Sequence, residues 1–302
     1  MNGYLTTLLD TSVPIVLACA CGALLAWKHE VKTSTLTDLS LYVLAPSLVL
    51  IALGESRIPV SIFTDIALFT AVQTVASLFV GWAAGRLMAL DPAKRAALSL
   101  TTIFSNSNNY GLPVLLLAFG AAGFSLGAAY VIGQVILVNT LGLFLAARSS
   151  FRPGEAMKRI LRVPLIYACA AGILLYITRI ELPKGLNGGL KLLGNAYPAV
   201  VLVILGVQIR KMKWEGFKRI EVWVAVVLRM VVIPLISLAV LSVLGFHGLL
   251  ARVLLVETAM PAAINGVVLA EKYGADTELV AFTVSVTTLI SFVSLPVWIS
   301  LS

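Results

Sequence analysis

Apolar runs of about 20 residues recur along the whole chain, and they constrain its fold more than any other feature. A helix of that length spans the roughly 30 Å hydrocarbon core of a bilayer. Helices are expected rather than strands, because an isolated strand leaves its backbone unsatisfied in lipid and the alternating pattern of a barrel is lacking. The composition agrees, since 60% of the 302 residues are hydrophobic and only 12% are charged. The sequence therefore predicts an all-α polytopic membrane protein.

The apolar runs predict ten transmembrane helices, here called spans one to ten. Lys and Arg gather in the odd-numbered loops, and positively charged loops stay on the cytoplasmic side. We therefore expect a multi-pass protein of the cell membrane, surrounded by lipid, with both termini extracellular or periplasmic. This orientation accounts for the net charge of +8, so no nucleic acid partner is expected. The predicted spans are 5–27, 37–54, 62–87, 96–119, 125–147, 163–180, 191–209, 222–245, 252–271 and 278–300.

The two halves of the chain repeat each other. The segment VPIVLACACGALLAW from Val13 matches VPLIYACAAGILLYI from Val163 at an offset of 150. Similarly, APSLVLIALG from Ala45 matches YPAVVLVILG from Tyr197 at an offset of 152. We therefore expect residues 1–150 and 151–302 to form two five-helix repeats. Because five is odd, the second repeat enters the membrane from the opposite side, and such inverted repeats are typical of secondary transporters.

Spans four and nine each contain a proline, which lacks an N–H and frees the carbonyl four residues earlier. Pro113 is expected to free the carbonyl of Asn109, and Pro261 that of Glu257. The prolines are 148 residues apart, which makes Asn109 and Glu257 repeat partners. We expect both spans to be broken and to cross, with each proline beginning a half-helix whose positive N-terminal end attracts an anion. The freed carbonyls and the Glu257 carboxylate could hold a cation.

The candidate residues also have plainer interpretations. The asparagines near Pro113 could be helix–helix contacts, and Glu257 could lie in a wet vestibule. Arg229, inside span eight, could snorkel to the cytoplasmic face or bind substrate, and the polar residues of span five could be core hydrogen-bonding groups. The predicted ion- or proton-coupling residues are Glu257, Asn109 and Asn265. The predicted substrate-binding residues are Asn106, Asn108, Asn109, Tyr110, Gly111, Pro113, Pro261, Asn265, Gln134 and Asn139.

No cofactor, metal site or enzymatic centre is expected, although a proton or a sodium ion could couple to transport. Cys19, Cys21 and Cys169 lie in apolar helices without histidine neighbours, which favours simple packing. The histidines His29 and His247 fall in predicted loops, and no HExxH motif is present. A channel or sensor on the same scaffold is the remaining alternative to a carrier.

The segments NSNNYGLPV at 106–114 and AMPAAINGVVLAEKYG at 259–274, with the ten predicted spans, resemble the auxin efflux carrier family. That family includes plant auxin exporters and prokaryotic dicarboxylate carriers. The resemblance implies the crossover fold shared with bile-acid sodium symporters, in which helices 1, 2, 6 and 7 form a scaffold and helices 3–5 and 8–10 a moving core. It also implies elevator-like transport of a small organic anion. By matching position, the first broken helix would include Asn106, Asn109, Gly111 and Pro113, and the second Pro261 and Asn265.

One departure from the plant exporters and one further similarity bear on the substrate and the coupling ion. The mid-chain loop, about 148–162, is short, whereas that of plant exporters is often long, so a prokaryotic carrier is favoured over auxin transport. The ladder of Glu257, Pro261 and Asn265 is similar to the cation-binding helix of bile-acid symporters. A sodium-coupled symporter of a bile-acid-like or other organic anion is therefore an alternative, and proton coupling through Glu257 is equally open. A homodimer is also compatible with the sequence.

Overall fold

The computed structural model describes residues 2–55, 59–142, 161–210 and 218–302 and the single positions 145, 154 and 158. This part of the chain is all-helical. The predicted loop at 148–162 and the repeat boundary at residue 150 lie mostly outside it. The helices, numbered here in chain order, are α1 (Asn2–Lys28), α2 (Thr33–Leu39), α3 (Ala45–Gly54), α4 (Val60–Leu87), α5 (Pro92–Ile103), α6 (Leu112–Leu137), α7 (Pro164–Thr178), α8 (Lys184–Arg210), α9 (Ile220–Val227), α10 (Ile233–Leu244), α11 (Gly248–Ala259), α12 (Asn265–Tyr273) and α13 (Thr277–Leu301).

Wider, π-helical turns interrupt or extend several helices. Three of these turns end two residues before a proline, namely Pro46, Pro113 and Pro234. A proline ring clashes with the carbonyl of the preceding turn, and one extra residue in that turn relieves the clash. Turns of this kind occur often at functional sites. The π-helical turns are Ser40–Leu44, Ser107–Gly111, Val138–Gly142 and Leu228–Val232.

Six helical segments in the described part of the chain are long and apolar enough to cross a membrane. Two shorter apolar helices, Val13–Lys28 and Pro164–Thr178, accompany them. Large apolar side chains such as Trp27, Trp82 and Ile177 are exposed, as expected for a surface that faces lipid. The protein is therefore embedded in the membrane and crosses it several times, whereas the number of ten crossings stays a prediction. The six segments are Thr33–Gly54, Ser61–Leu87, Ser107–Leu137, Lys184–Arg210, Ile220–Leu244 and Thr277–Leu301.

The gap predicted between spans four and five is reduced to a kink at Gly120. The helix α6 continues across this position, but Gly120 has φ 65° and ψ −160°. That backbone region is accessible without strain only to glycine. The missing Cβ thus allows one residue to separate two helical segments that the sequence pattern predicts as separate spans.

The chain forms two compact units, and each draws on both halves of the sequence. The first unit comprises Met1–Phe63, Asn108–Ile132 and Ile160–Lys211. The second comprises Thr64–Ser107, Gly133–Arg159 and Met212–Ser302. The moving core implied by the resemblance includes all of spans four and five, whereas residues 108–132 of those spans belong to the first unit.

In the first unit, glycines let helices approach to backbone contact. A Cβ on Gly22 of α1 would meet the carbonyl of Val203 on α8, and in return Gly206 of α8 faces the carbonyl of Cys19 on α1. Gly172 of α7 faces the backbone of α3 in the same way. Close approach at small residues is how helices gain packing energy in lipid, where apolar burial supplies little driving force.

In the second unit, an apolar core joins helices from both ends of the chain. Its buried members include Leu100 and Phe104 near the end of α5, Val226 on α9, Ala270 on α12 and Leu279 on α13. These side chains hold the end of α5 and the start of α12 in one packed layer. The two helix breaks described below lie next to this core.

Ion pairs join the starts of three helices in the second unit. Lys94 Nζ lies 2.8 Å from Glu221 Oε1, and Arg219 Nη2 lies 2.5 Å from Asp276 Oδ2. The backbone N–H of Asp276 also donates to the carbonyl of Ala93 at 3.2 Å. These contacts tie the beginnings of α5, α9 and α13 together.

Candidate functional site

The first helix break follows α5. Asp91 caps the start of this helix by accepting the N–H groups of Ala93 and Lys94, both at 3.0 Å, and proline occupies the first position. The helix ends at Ile103, after which Phe104 is extended with φ −96° and ψ 121°. Helical geometry resumes three residues later, in the π-helical turn Ser107–Gly111.

The second helix break follows α11 and has a local cause. Pro261 disfavours helical geometry at the residue before it, and Met260 is extended with φ −60° and ψ 150°. The carbonyl of Glu257, which Pro261 cannot reach, instead accepts the N–H of Met260 at 3.4 Å. Helix resumes only at Asn265. The prediction that Pro261 begins the second half-helix is therefore wrong, because the proline lies within the break.

The two breaks pair with each other as a short antiparallel bridge between Ser105 and Ala262. The N–H of Asn106 donates to the carbonyl of Pro261 at 2.8 Å, and the N–H of Ala263 donates to the carbonyl of Phe104 at 3.0 Å. Non-helical backbone at membrane depth must find partners within the protein. The pairing supplies them, so each break stabilises the other.

Arg229 donates hydrogen bonds to backbone carbonyls at the ends of both helices that precede the breaks. Its side chain is 1% exposed. Nε donates to the carbonyl of Met260 at 2.9 Å, and Nη2 to that of Thr258 at 2.6 Å. Nη1 donates to the carbonyl of Thr102, near the end of α5, at 2.9 Å. The guanidinium is therefore directed at backbone carbonyls and does not snorkel to the membrane surface, which was one sequence-based interpretation.

The carboxyl group of Glu257 is fully buried in the last turn of α11. Neither carboxylate oxygen has a hydrogen-bond partner among the described residues. The Ser107 hydroxyl and the Arg229 guanidinium are near enough to act on the group electrostatically, although the Ser107 contact is looser than a hydrogen bond. The wet-vestibule interpretation does not fit a side chain with no exposed area.

Polar side chains of the first break are also buried. The hydroxyl oxygens of Ser105 and Ser107 are 2.5 Å apart and share a hydrogen bond. Asn106 is 5% exposed, and its Nδ2 has no hydrogen-bond partner within the described part of the chain. An unsatisfied amide donor buried at a helix break is costly unless a ligand or water completes it. Asn106 is therefore the strongest candidate among the predicted substrate-binding residues.

The carbonyl freed by Pro113 is not the one predicted. In the π-helical turn before Pro113, N–H groups reach back five residues rather than four. The orphaned carbonyl is therefore that of Asn108 and not that of Asn109. The Tyr197 hydroxyl donates to it at 2.6 Å. Pro113 lies in the first turn of α6, which begins at Leu112, although the π-helical turn Ser107–Gly111 already precedes that helix.

Asn109 and Glu257 are not structural equivalents. Glu257 lies three residues before the extended Met260. The residue three before the extended Phe104 is Thr101, whereas Asn109 follows the first break. The predicted partnership relied on the spacing of the two prolines, which occupy different places relative to the breaks.

The remaining predicted residues occupy varied environments. Tyr110, Gly111, Pro113 and Gln134 are buried, Asn108 and Asn109 are half-buried, and Asn265 is exposed at the start of α12. The side-chain amide of Asn108 donates to that of Asn109 at 3.4 Å. The Asn139 side chain lies outside the described part of the structure. Within that part, His, Cys, Asp and Glu form no group that could hold a metal ion.

The sequence analysis missed the aromatic and backbone partners of the site. Tyr197 precedes Pro198 in α8, and the acceptors of Arg229 are backbone carbonyls of Thr102, Thr258 and Met260. Backbone acceptors have no sequence signature. Arg229 itself did have one, since a basic residue in the interior of a span needs a buried partner.

A separate cavity of about 720 Å³ lies within the first unit. Its lining is mostly apolar, with Phe124 and Leu48 among the lining residues. The charged lining residues Glu55 and Lys191 form an ion pair at 2.8 Å. Because these two charges satisfy each other, the cavity is a weaker candidate for an anion site than the paired breaks.

Comparison with known proteins shows that the chain is similar to membrane transport proteins. A profile of the family described as "Membrane transport protein" matches residues 7–299. A relative named "Uncharacterized transporter" from Methanothermobacter thermautotrophicus is 28% identical over 275 residues. A second relative of the same description from Methanocaldococcus jannaschii is 24% identical over 279 residues, and each match covers 89% of this chain and 89% of the relative.

These matches confirm the resemblance drawn from the two break motifs, because the family profile extends over nearly the whole chain. They also identify a transporter rather than an enzyme. The chain belongs to the family of membrane transport proteins of the auxin efflux carrier type.

Proposed function

We propose that the protein is a secondary active carrier that moves a small organic anion, such as a carboxylate, across the cell membrane by an elevator-type mechanism. Membership of a membrane transport family supports the general activity. The observation that carries the finer proposal is the pairing of two helix breaks next to buried polar side chains. In secondary transporters, substrates and coupling ions bind at such discontinuous helices.

The chemistry of the paired breaks favours an anionic substrate. Asn106 offers an unused amide N–H, and Ser105 and Ser107 offer hydroxyl groups. Neutral donors of this kind hold a carboxylate without the cost of burying a lysine. We propose that the substrate binds at these groups.

Reciprocal glycine contacts support the proposed inverted repeat. At the offsets found in the sequence, Gly22 corresponds to Gly172, and Gly54 corresponds to Gly206. Gly22 and Gly206 lie where α1 packs on α8, and Gly172 and Gly54 lie where α7 packs on α3. An inverted repeat exchanges these two helix pairs, so each contact has a counterpart. Five spans in each half put both termini on the same side of the membrane, and the Lys and Arg of the odd-numbered loops favour the side outside the cytoplasm. A reporter enzyme fused to the C-terminus checks this orientation.

The second unit is the proposed moving part. Its ion pairs tie the starts of α5, α9 and α13, and its paired breaks tie α5 to α11. Because these contacts all lie within the second unit, the unit can move as one body and keep them, which an elevator mechanism requires. Both breaks and Glu257 belong to this unit.

Uptake by the purified protein in liposomes tests the proposed activity. We expect time-dependent, saturable accumulation of at least one ¹⁴C-labelled organic anion from a panel that includes succinate, malate and indole-3-acetate. Asn106→Ala should reduce uptake by about tenfold or more, since one lost hydrogen bond to a charged group is worth about 1.5–3 kcal/mol. Asn187→Ala is the matched control, because Asn187 is a half-buried amide of the first unit that contacts Glu55 at 3.2 Å.

Two results would contradict the proposal. If Asn106→Ala took up the anion at the wild-type rate, the substrate would not bind at the paired breaks. Single-channel steps in a planar bilayer would show a channel, because a carrier moves too few ions for discrete conductance steps.

Glu257 is the proposed coupling group. A fully buried carboxylate without a hydrogen-bond partner is costly, and a bound proton or cation offsets that cost. Glu257→Gln keeps the shape of the side chain and removes its charge. We expect uptake by this variant to lose its response to an imposed proton or sodium gradient, and a response equal to that of the wild type would make Glu257 structural.

A further inference from the structure

Arg229 occupies the place where a broken-helix transporter would be expected to hold an inorganic cation. The last carbonyls of a helix lack N–H partners within the helix, and together they carry roughly half a negative charge. Two such ends meet here, at Thr102 of α5 and at Thr258 and Met260 of α11. Unwound carbonyls and the C-terminal ends of half-helices are the usual ligands of coupling sodium ions in transporters.

The three backbone carbonyls already receive hydrogen bonds from a cation that belongs to the chain. The donor–acceptor distances from the Arg229 guanidinium are 2.6 Å to Thr258, 2.9 Å to Thr102 and 2.9 Å to Met260. A guanidinium carries its charge at every accessible pH. Its planar fork of donors can satisfy several acceptors at once, which a lysine ammonium does less well.

The position of Arg229 in its helix is also specific. It lies in the π-helical turn Leu228–Val232, five residues before Pro234. The widened turn and the buried acceptors fix where the side chain can go. Glu257 adjoins Thr258, one of the residues whose carbonyl accepts from Arg229, and lies in the same unit.

We propose that Arg229 is a tethered cation that fills the cation position of the paired breaks, so that the transport cycle needs no sodium ion. The inference rests on the proposed carrier function and narrows its coupling ion. Arg229 is a positioning residue in this scheme, because it acts on the helix ends and not on the substrate.

Thermal unfolding of the purified protein in detergent tests the inference without knowledge of the substrate. The midpoint for the wild type should be the same in sodium chloride and in choline chloride. Arg229→Ala should unfold at a lower temperature, and guanidinium at about 10 mM should raise its midpoint by several degrees, since a ligand of the folded state stabilises it. That concentration is far below the molar range in which guanidinium denatures.

Arg252→Ala is the matched control. Arg252 lies on α11 and contacts Ser302 Oγ at 3.4 Å, so its loss also removes one positive charge from the second unit. We expect no increase of the unfolding midpoint of Arg252→Ala with guanidinium. An equal increase in both variants would show a general salt effect and would overturn the inference.

Uptake in liposomes provides the second measurement. The wild type should take up its anion equally from sodium and choline solutions. Arg229→Ala should lose at least tenfold in rate and recover part of it with guanidinium, whereas Arg229→Lys should retain part of the rate. If Arg229→Ala does not fold, Arg229→Lys is compared with the wild type in the two salts.

Sodium-dependent uptake or sodium-dependent stability of the wild type would overturn the inference. A folded Arg229→Ala variant whose unfolding midpoint does not rise with guanidinium would overturn it as well. If the wild type transports no anion, the carrier proposal fails, while the unfolding measurements still decide whether Arg229 acts as the bound cation.

Discussion

At the scale of single residues, prolines leave backbone carbonyls without donors, and aromatic side chains supply the missing hydrogen bonds. Pro113 leaves the carbonyl of Asn108 without a backbone donor, and the Tyr197 hydroxyl donates to this carbonyl at 2.6 Å. In the π-helical turn before Pro234, Trp298 Nε1 likewise donates to the carbonyl of Met230 at 3.3 Å. Neither carbonyl can rely on bulk water at membrane depth, so these side chains stabilise the helices from neighbouring elements.

Tyr197→Phe tests this role of the aromatic donors. Tyr197 is 0% exposed, so loss of its hydroxyl leaves a buried carbonyl unsatisfied and should lower the free energy of unfolding by about 1–3 kcal/mol. Tyr167→Phe is the control, since Tyr167 is exposed and donates to Leu161 at 2.7 Å. Thermal unfolding of both variants measures the effect, and equal midpoints would show that the buried hydrogen bond contributes nothing.

At the scale of helices, packing depends on glycines at particular contact points rather than on the glycine content of a helix. α8 contains several glycines with different surroundings. A Cβ on Gly206 would meet the backbone of α1, whereas a Cβ on Gly188 would meet open space. The two positions separate the effect of close approach from the effect of helix propensity.

Gly206→Ala should therefore destabilise the protein, and Gly188→Ala should not. Forcing apart two helices in contact typically costs about 1–3 kcal/mol, while alanine is favoured over glycine inside a helix by about 1 kcal/mol. Unfolding midpoints of the two variants should thus move in opposite directions from the wild type. A fall of similar size in both would argue against a special contact at Gly206.

The helices also show what the sequence could and could not predict. Pro261 acts on its immediate neighbours, so a break after α11 was predictable. The first break lies several residues before Pro113 and is stabilised by the pairing of Ser105 with Ala262. Contacts between residues so far apart in the chain leave no local pattern, and the same applies to Arg229, whose acceptors lie 29, 31 and 127 residues away.

At the scale of the whole molecule, charged side chains lie mostly in loops and at helix ends, and several of the described ones form ion pairs. Asp276 is one such group, between α12 and α13. Burial raises the pKa of Asp276, but the hydrogen bond from Arg219 and other contacts outweigh this and hold its pKa below the ordinary value. The ion pair therefore contributes stability above the unfolded-state pKa of about 4 and loses it as the pH falls through the lower folded-state pKa.

Asp276→Asn should lower the unfolding midpoint at pH 7 and should also weaken the decline of the midpoint below about pH 4. The decline weakens because the variant has no carboxylate to protonate at this position. Glu278→Gln is the control, since the Glu278 side chain is 79% exposed and lies 3.5 Å from Arg219. If the unfolding midpoints of Asp276→Asn and the wild type fell in parallel as the pH is lowered, protonation of Asp276 would not be the cause of the decline.

The interleaving of the two units has a consequence for biosynthesis. Gly22 of α1 packs on α8, yet all of α2 to α7 leave the ribosome between them. At roughly 5–20 residues per second, α8 is completed on the order of 10 to 40 s after α1. During that interval the first helices lie in the bilayer with their glycine faces uncovered. The contact between α1 and α8 can therefore form only late in synthesis, after the helices between them have been made.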